Sequence, residues 1–250
     1  IVCAVINPND SVWLECTSQT LPSGYLGDFT DDRYALLIDE TGGNLVLTPK
    51  YGLNENLQER TVNAKLDAEG MLTADIKTNY SGIQQDHLHM LINNLSKDKV
   101  KEYLDEELEF ATYTVNNFSY KENKKLIPEI EETLSVTAEH YATISGKRLF
   151  IEPNIMTKSS RKLKSGDERK YDIELDMEYS DTDKIEIEIP VGYKPESVPQ
   201  DAIIESKFGK YRSTVKFDQN KIFYTRSMQQ FSGLFPKTDY IEMVKFYDAI

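Results

Sequence analysis

Cysteine and histidine are the residue types that could supply a nucleophile and its base, and the chain has two of the first and three of the second. Cys3 and Cys16 flank the turn cluster Asn7-Pro8-Asn9-Asp10. A symmetric hairpin there sets Cys3 opposite Leu14 and leaves Cys16 on the same face, along a diagonal of roughly 7–8 Å at Cα. That separation exceeds the usual reach of a disulfide. The two read as buried, reduced thiols acting as small hydrophobes. A thiolate nucleophile needs an imidazole beside it, and no histidine falls within 70 residues of either cysteine. Any pairing of Cys16 or Cys3 with His140 would have to be made by the fold. His87 and His89 are two residues apart, which on a helix turns them about 200° from one another, so they cannot share a metal as an i, i+4 pair can. His140 continues the parity of Leu134, Val136 and Ala138 and reads as a core or edge histidine with one nitrogen satisfied. No metal or other cofactor is expected.

Carboxylates are plentiful, so only their settings inform. Glu15 follows Trp13 and Leu14 on a strand-like run. Asp28, Asp31 and Asp32 share a loop with Thr30, but the twelve-residue ligand spacing of an EF-hand is missing, and turn-forming or capping roles are the simpler reading. Asp172, Glu174, Asp176 and Glu178, then Glu186 and Glu188, alternate with apolar residues and read as solvated strand faces that discourage edge pairing. One stretch opposes this trend. Lys158, Arg161, Lys162, Lys164, Arg169 and Lys170 stand among Ser159, Ser160, Ser165 and Gly166, as a solvated loop or as a dock for an acidic surface, the chain's own included. Overall, 29 basic residues face 42 acidic ones, a formal charge of −13. That field repels phosphate backbones and anionic lipid, so nucleic acid is not an expected partner. No run of about 18 apolar residues occurs to span a membrane, and no signal peptide opens the chain.

The elements that position these groups are mostly strands. Short alternating runs between turn residues dominate the 250 residues, the pattern of a mainly β protein. Residues 1–6 and 11–16 read as one hairpin, and 33–38 with 44–48, joined through Gly42-Gly43, as another. A polar stretch, 50–59, reads as a linker. Beyond it, Val62, Ala64 and Leu66 turn through Asp67-Ala68-Glu69-Gly70 into Leu72, Ala74 and Ile76. The period changes over 85–107, where Leu88, Leu91, Ile92 and Leu95, then Val100, Tyr103 and Leu104 behind an N-cap at Ser96, predict a helical insertion. Strands resume over 108–115 and 134–138. Residues 171–179 and 185–189 read as a pair closing at Ser180-Asp181-Thr182-Asp183, and 211–217 with 222–228 as a hairpin through Asp218-Gln219-Asn220. A final helix follows, with Asp239 and Glu242 at capping-box spacing. The number of short strands in residues 60–250 predicts an antiparallel β-sandwich.

Three stretches, Asp10-Ser11-Val12-Trp13-Leu14-Glu15-Cys16-Thr17-Ser18, Gly24-Tyr25-Leu26-Gly27 and Asp32-Arg33-Tyr34-Ala35-Leu36-Leu37-Ile38, resemble the end of a transglutaminase-like domain. Tyr80-Ser81-Gly82, Tyr141 to Arg148, Phe208-Gly209-Lys210-Tyr211 and Phe235 to Tyr240 resemble the β-rich domain of unknown function that follows such a core in large cell-envelope proteins common in Bacteroidetes. The resemblance implies a papain-like cysteine-protease architecture with terminal hairpins in 1–49, a periplasmic or cell-envelope setting, and a triad in the chain order Cys, His, acid. Glu15 matches the acid's position, with Glu where the family has Asp. The His and Cys would lie upstream of Ile1. A chain that opens inside a strand-like run reads as a piece of a larger protein. Its implied partners are the remainder of the transglutaminase-like core and a protein or peptide substrate. On this reading the chain is a non-catalytic C-terminal portion with a binding or scaffolding role. A complete thiol hydrolase using Cys16 or Cys3 with His140, and a glycan-binding module that uses some of the 15 tyrosines, are the alternatives.

Overall fold

Alternation of β-branched or aromatic residues with polar ones builds the strands, and the computed structural model describes residues 2–7, 10–157, 163 and 169–250. In chain order the strands are β1 (Val2–Asn7), β2 (Asp10–Leu14), β3 (Tyr34–Asp39), β4 (Gly42–Leu47), β5 (Leu57–Leu66), β6 (Leu72–Ser81), β7 (Tyr113–Asn123), β8 (Glu129–Ala138), β9 (Thr143–Ser145), β10 (Arg148–Phe150), β11 (Ile173–Leu175), β12 (Tyr179–Glu188), β13 (Ala202–Ser206), β14 (Gly209–Asp218), β15 (Lys221–Gln230) and β16 (Gly233–Phe235). The helices are α1 (Asp86–Asn94), α2 (Lys97–Glu107) and α3 (Tyr240–Asp248), with short 3-10 turns ahead of α1 and α3. The protein is mainly β, with a large sheet, few helices and a C-terminal helix. No helix among the described residues is long and apolar enough to cross a membrane.

Eight strands join in one sheet of order β13-β14-β15-β12-β5-β6-β8-β7. Every neighbouring pair is antiparallel except β12 and β5. The two facing layers of the expected sandwich are therefore one continuous sheet. Its apolar face has no need of a second sheet, because α1 and α2 contribute Leu91, Val100 and Leu104 to the same core as Val62, Ile76, Leu134 and Ile185, and Ala142 and Ile155 complete it. A second, smaller core gathers Phe208, Tyr211, Met228, Met243 and Phe246 where α3 packs on β14 and β15.

Across the sheet the register lines side chains into rows. Tyr224, Ile185, Val62, Ile76, Leu134 and Phe118 stand in one apolar row. The row two residues away on the same face is Arg226, Asp183, Arg60, Thr78, Glu132 and Tyr120. This polar row accounts for a departure from expectation. Ser180 to Asp183 do not form a turn between two strands; they lie inside β12, while β11 pairs with β16. Asp183, fully buried, is tolerated there because Arg60 and Arg226 stand on either side at 3.2 and 2.9 Å.

Other expectations sort by local chemistry. The turn after Phe217 forms with Gln219 and Asn220 both at positive φ, as a tight hairpin requires. Ser96 caps α2, its side chain accepting from the Lys99 N–H. Asp239 makes no side-chain cap, since its carboxylate is taken by Lys207 at 2.8 Å. Residues 50–59, read as a linker, are tied down: Tyr51 and Asn56 are buried, and the Asn56 side chain donates to the carbonyls of Tyr51 and Glu178 and accepts from the Ile83 N–H. Of the basic stretch, 158–162 and 164–168 lie outside the described residues, as do Pro8 and Asn9 of the first turn. The Arg169 guanidinium stands 4.6 Å from the Tyr240 ring centroid.

Candidate functional site

Glu15 leaves β2 just before a loop rich in turn formers, and its carboxylate organises that loop. Oε1 accepts from the Thr17 N–H at 2.8 Å and from the Thr17 hydroxyl at 2.6 Å. Oε2 accepts from the Thr30 hydroxyl at 2.9 Å. The Thr17 hydroxyl first, then its backbone N–H, hold the Glu15 carboxyl below the usual carboxylate range. Both oxygens are thus engaged by hydroxyls and an amide, and no histidine among the described residues bonds to Glu15.

The loop that Glu15 shapes is fastened at three points, two of them on α1 and one on Tyr51. Tyr25, fully buried, donates from its hydroxyl to Asp86 Oδ1 at 2.8 Å, and the Asp28 N–H donates to Oδ2 at 3.0 Å. Burial pushes the Asp86 carboxyl up to about 6. The Leu26 N–H donates to the Tyr51 hydroxyl at 3.0 Å, and the Tyr25 and Tyr51 rings lie 5.0 Å apart. The third fastening is a relay. The Glu122 carboxylate on β7 meets His89 Nδ1 at 2.7 Å, and His89 Nε2 meets the Thr20 hydroxyl at 2.7 Å. A carboxylate can only accept, so Nδ1 carries hydrogen and donates to Glu122, while Nε2 hydrogen-bonds the Thr20 hydroxyl. Asn93 also donates to Glu122 at 3.0 Å.

Sequence reasoning overlooked this use of His89, although His89 and Asn93 at i, i+4 on one face of a helix are a legible polar pair. His87, by contrast, is exposed beside Tyr103. The cysteines also depart from expectation. Cys3 pairs with Trp13 in register, because an irregularity between Val5 and Asn7 shifts the strand by one, and Cys3 is half-buried. Cys16 is exposed just past β2. Both are unpaired, as the spacing implied, but neither is a core thiol. His140 is no core histidine either: β8 ends at Ala138, and His140 occupies an exposed turn at φ +53°. It sits at the Ala138 end of β8, whereas the loop holding Cys16 is fastened near the opposite end, ten strand residues or about 30 Å away. The fold does not bring Cys3 or Cys16 to His140.

Beside the loop lies a cleft of about 530 Å³. Asp28, Phe29, Asp31, Asp32, Arg33 and Lys50 form one wall, and Glu174 to Met177 with Gly233 and Leu234 form the other. Lys50 pairs with Asp32 at 3.0 Å. Asp31 is nine-tenths buried, and no hydrogen bond or ion pair reaches its carboxyl among the described residues. No group of three His, Cys, Asp or Glu side chains among the described residues is placed to hold a metal.

A further surface belongs to the same region. In the β3–β4 hairpin, Tyr34 stands opposite Leu47, Leu36 opposite Leu45, and Ile38 opposite Gly43. Directly opposed residues share a face, so five large apolar side chains form one surface. Tyr34, Leu36, Ile38, Leu45 and Leu47 are 78, 61, 74, 72 and 53% exposed.

Residues 147–250 match the family model of a domain of unknown function, DUF3858. A crystal structure of a "putative protease" from Parabacteroides distasonis is similar with a TM-score of 0.25 and 10% identity, over 72% of this chain and 36% of that one. The chain thus spans about a third of that protein's length, and so loose a likeness bears on neither fold nor chemistry. No match is found among curated proteins. The matched domain takes in β10 through α3, with the smaller core and half of the large sheet, while Glu15, the relay and the apolar hairpin lie outside it.

Proposed function

We propose that this chain is the C-terminal portion of a transglutaminase-like, cysteine-protease-like protein of the cell envelope, acting as a docking and scaffolding unit without turnover of its own. The observation that carries the reading is the β3–β4 face. Its five exposed apolar side chains are the kind of contiguous surface that soluble proteins cover with another element or partner. The occupant this reading assigns is the remainder of the transglutaminase-like core, which would add strands or a helix over Tyr34, Leu36 and Leu45. The separation of Cys3 and Cys16 from His140 supports the absence of a complete thiol site, and the match of residues 147–250 to a domain of unknown function is consistent with an accessory role.

Glu15 is the residue this chain would contribute to chemistry. Its carboxylate is held ionised and fixed by Thr17 and Thr30, which is what an acid that orients an imidazole requires. The test is amide hydrolysis and transamidation, with the chain alone and with a polypeptide joining it to the segment encoded before it. The chain alone is expected to be inert. The joined polypeptide is expected to turn over substrate and to lose on the order of 10⁴ in kcat on Glu15→Gln, the scale for a triad acid. Turnover by the chain alone that survives cysteine-alkylation controls would sink the reading, as would a joined polypeptide indifferent to Glu15→Gln.

A further inference from the structure

The relay that fastens the N-terminal loop is built like an activated alcohol. The Thr20 hydroxyl meets His89 Nε2, and His89 Nδ1 meets the Glu122 carboxylate, both at 2.7 Å. Hydroxyl, imidazole and carboxylate in that order are what a nucleophile, its base and the group that orients the base require. The three come from the loop after β2, from α1 and from β7. None of them stands where the resemblance to a transglutaminase-like domain sets a triad residue.

The surroundings polarise the relay in one direction. Ser18 Oγ accepts from the N–H groups of Thr20 and Leu21 at 3.3 and 3.1 Å. Its own proton is free to point at Thr20 Oγ, 3.4 Å away. With the imidazole neutral, the Thr20 proton then lies toward Nε2. On the far side Asn93 donates to Glu122 at 3.0 Å and holds the carboxylate against Nδ1. His89 is 5% exposed, whereas Thr20 is half-buried, so the hydroxyl is the end of the relay that a reagent meets. Lys124, exposed between β7 and β8, donates from Nζ to the Thr20 carbonyl oxygen at 3.0 Å. It brings a positive charge to the residue on which an oxyanion would form. Leu126, two residues further on and mostly exposed, lies against Gly24 of the same loop and adds apolar surface.

We propose that Thr20 accepts a small apolar acyl group from an activated ester, with His89 as the base, Glu122 positioning the imidazole and Lys124 as the nearby positive charge. Thr20 Oγ bonds to the acyl carbon, the hydroxyl proton passes to His89 Nε2, and the bond from the acyl carbon to the leaving oxygen breaks. The imidazolium returns that proton to the leaving oxygen, so the products are O-acyl-Thr20 and the free alcohol. This is a single transfer onto the chain, distinct from amide turnover, and it stands whether or not Glu15 serves an upstream site.

The experiment treats the chain with p-nitrophenyl acetate and locates the acetyl groups by peptide mass spectrometry. Thr41 is the internal reference, because its exposed hydroxyl bonds the Asp39 carboxylate instead of an imidazole. Thr20 is expected to acetylate about a hundredfold faster than Thr41, the low end for a positioned general base. Thr20→Ser is expected to take the group at the same position. His89→Ala is expected to lose the reaction and to regain it with added free imidazole, which a loosened loop alone does not produce. The charged groups bonded to the relay are Glu122 and Lys124. Glu122→Gln is expected to slow the transfer by about tenfold or more and to move the midpoint of its pH profile downward, since the carboxylate that favours the imidazolium is gone. Acetylation of Thr20 no faster than that of Thr41 overturns the proposal. So does a His89→Ala chain that acetylates at Thr20 as fast as the original.

Discussion

Asp183→Asn changes a single atom type yet should be among the most damaging substitutions in the protein. Asp183 Oδ1 accepts from Arg60 at 3.2 Å and from Gln58 at 3.4 Å; Oδ2 accepts from Arg226 at 2.9 Å and from the Thr157 hydroxyl at 3.3 Å. Four donors converge on one fully buried carboxylate. An asparagine presents one oxygen and one NH₂ group, so whichever way it is turned a donor faces donors. It also removes the negative charge between two guanidinium groups that are 7 and 8% exposed. Breaking a buried ion pair from one side costs about 3–5 kcal/mol, out of roughly 5–15 kcal/mol for a whole domain. In urea the transition should therefore move to markedly lower concentration at constant slope, and the thermal midpoint should fall by about 6–20 °C at roughly 2–4 °C per kcal/mol for a chain of this size. Replacing the whole group, with Asp183→Leu, Arg60→Met and Arg226→Met together, should recover much of the loss, since apolar substitutes for a buried ionic group are often neutral or better. A loss under about 1 kcal/mol on Asp183→Asn would mean that water reaches the row, and the account of why Ser180 to Asp183 lie inside β12 would fail.

Three further predictions follow from the same geometry. His89→Phe removes the imidazole that bonds Thr20 and leaves Glu122 with Asn93 alone, at about 1–3 kcal/mol, and amide exchange over 17–32 should quicken by more than the global unfolding constant changes. The folded-state carboxyls of Asp31 and Asp86, raised to about 6, bind protons that the unfolded chain does not hold until the usual value of 3.8. Between those limits the folded state is the better proton acceptor, so the thermal midpoint should rise as pH falls from 7 toward 5, and the rise should flatten in Asp86→Asn. Leu36→Ser with Leu45→Ser, both exposed, should alter stability by no more than about 0.5–1 kcal/mol while sharply reducing fluorescence of a dye that binds apolar surface.

Much of the fold is legible in the sequence. The hairpins at 62–76 and 211–228 follow from strict alternation closed by turn residues whose backbone demands are met in place. The helical insertion follows from the 3.6-residue stripe and the Ser96 cap. Failures occur where a tertiary partner reverses the local meaning of a residue. Asp181 and Asp183 look like turn formers and become strand residues because Arg60 and Arg226 arrive from β5 and β15, more than 40 residues away on the nearer side. Asp239 looks like a cap and is claimed by Lys207. His140 continues an alternating run by one register position, yet the strand stops at Ala138 and the apparent parity means nothing beyond it. The relay from Thr20 through His89 to Glu122 joins three segments separated by 69 and 33 residues, and no local pattern announces such a contact. The cleft is of the same kind: its acidic residues are visible as two separate runs, at 28–32 and 174–176, and no local pattern announces that they line one cavity.

The docking role stands or falls on what covers the β3–β4 face. Amide hydrogen exchange over residues 34–47 should be compared in the chain alone and in a polypeptide that joins it to the segment encoded before it. The account predicts that Tyr34 to Leu47 exchange readily in the first and gain protection in the second, with Leu36→Ser and Leu45→Ser together abolishing the gain. Equal exchange in both, with the apolar face as open to solvent in the longer polypeptide as in the shorter, would contradict it.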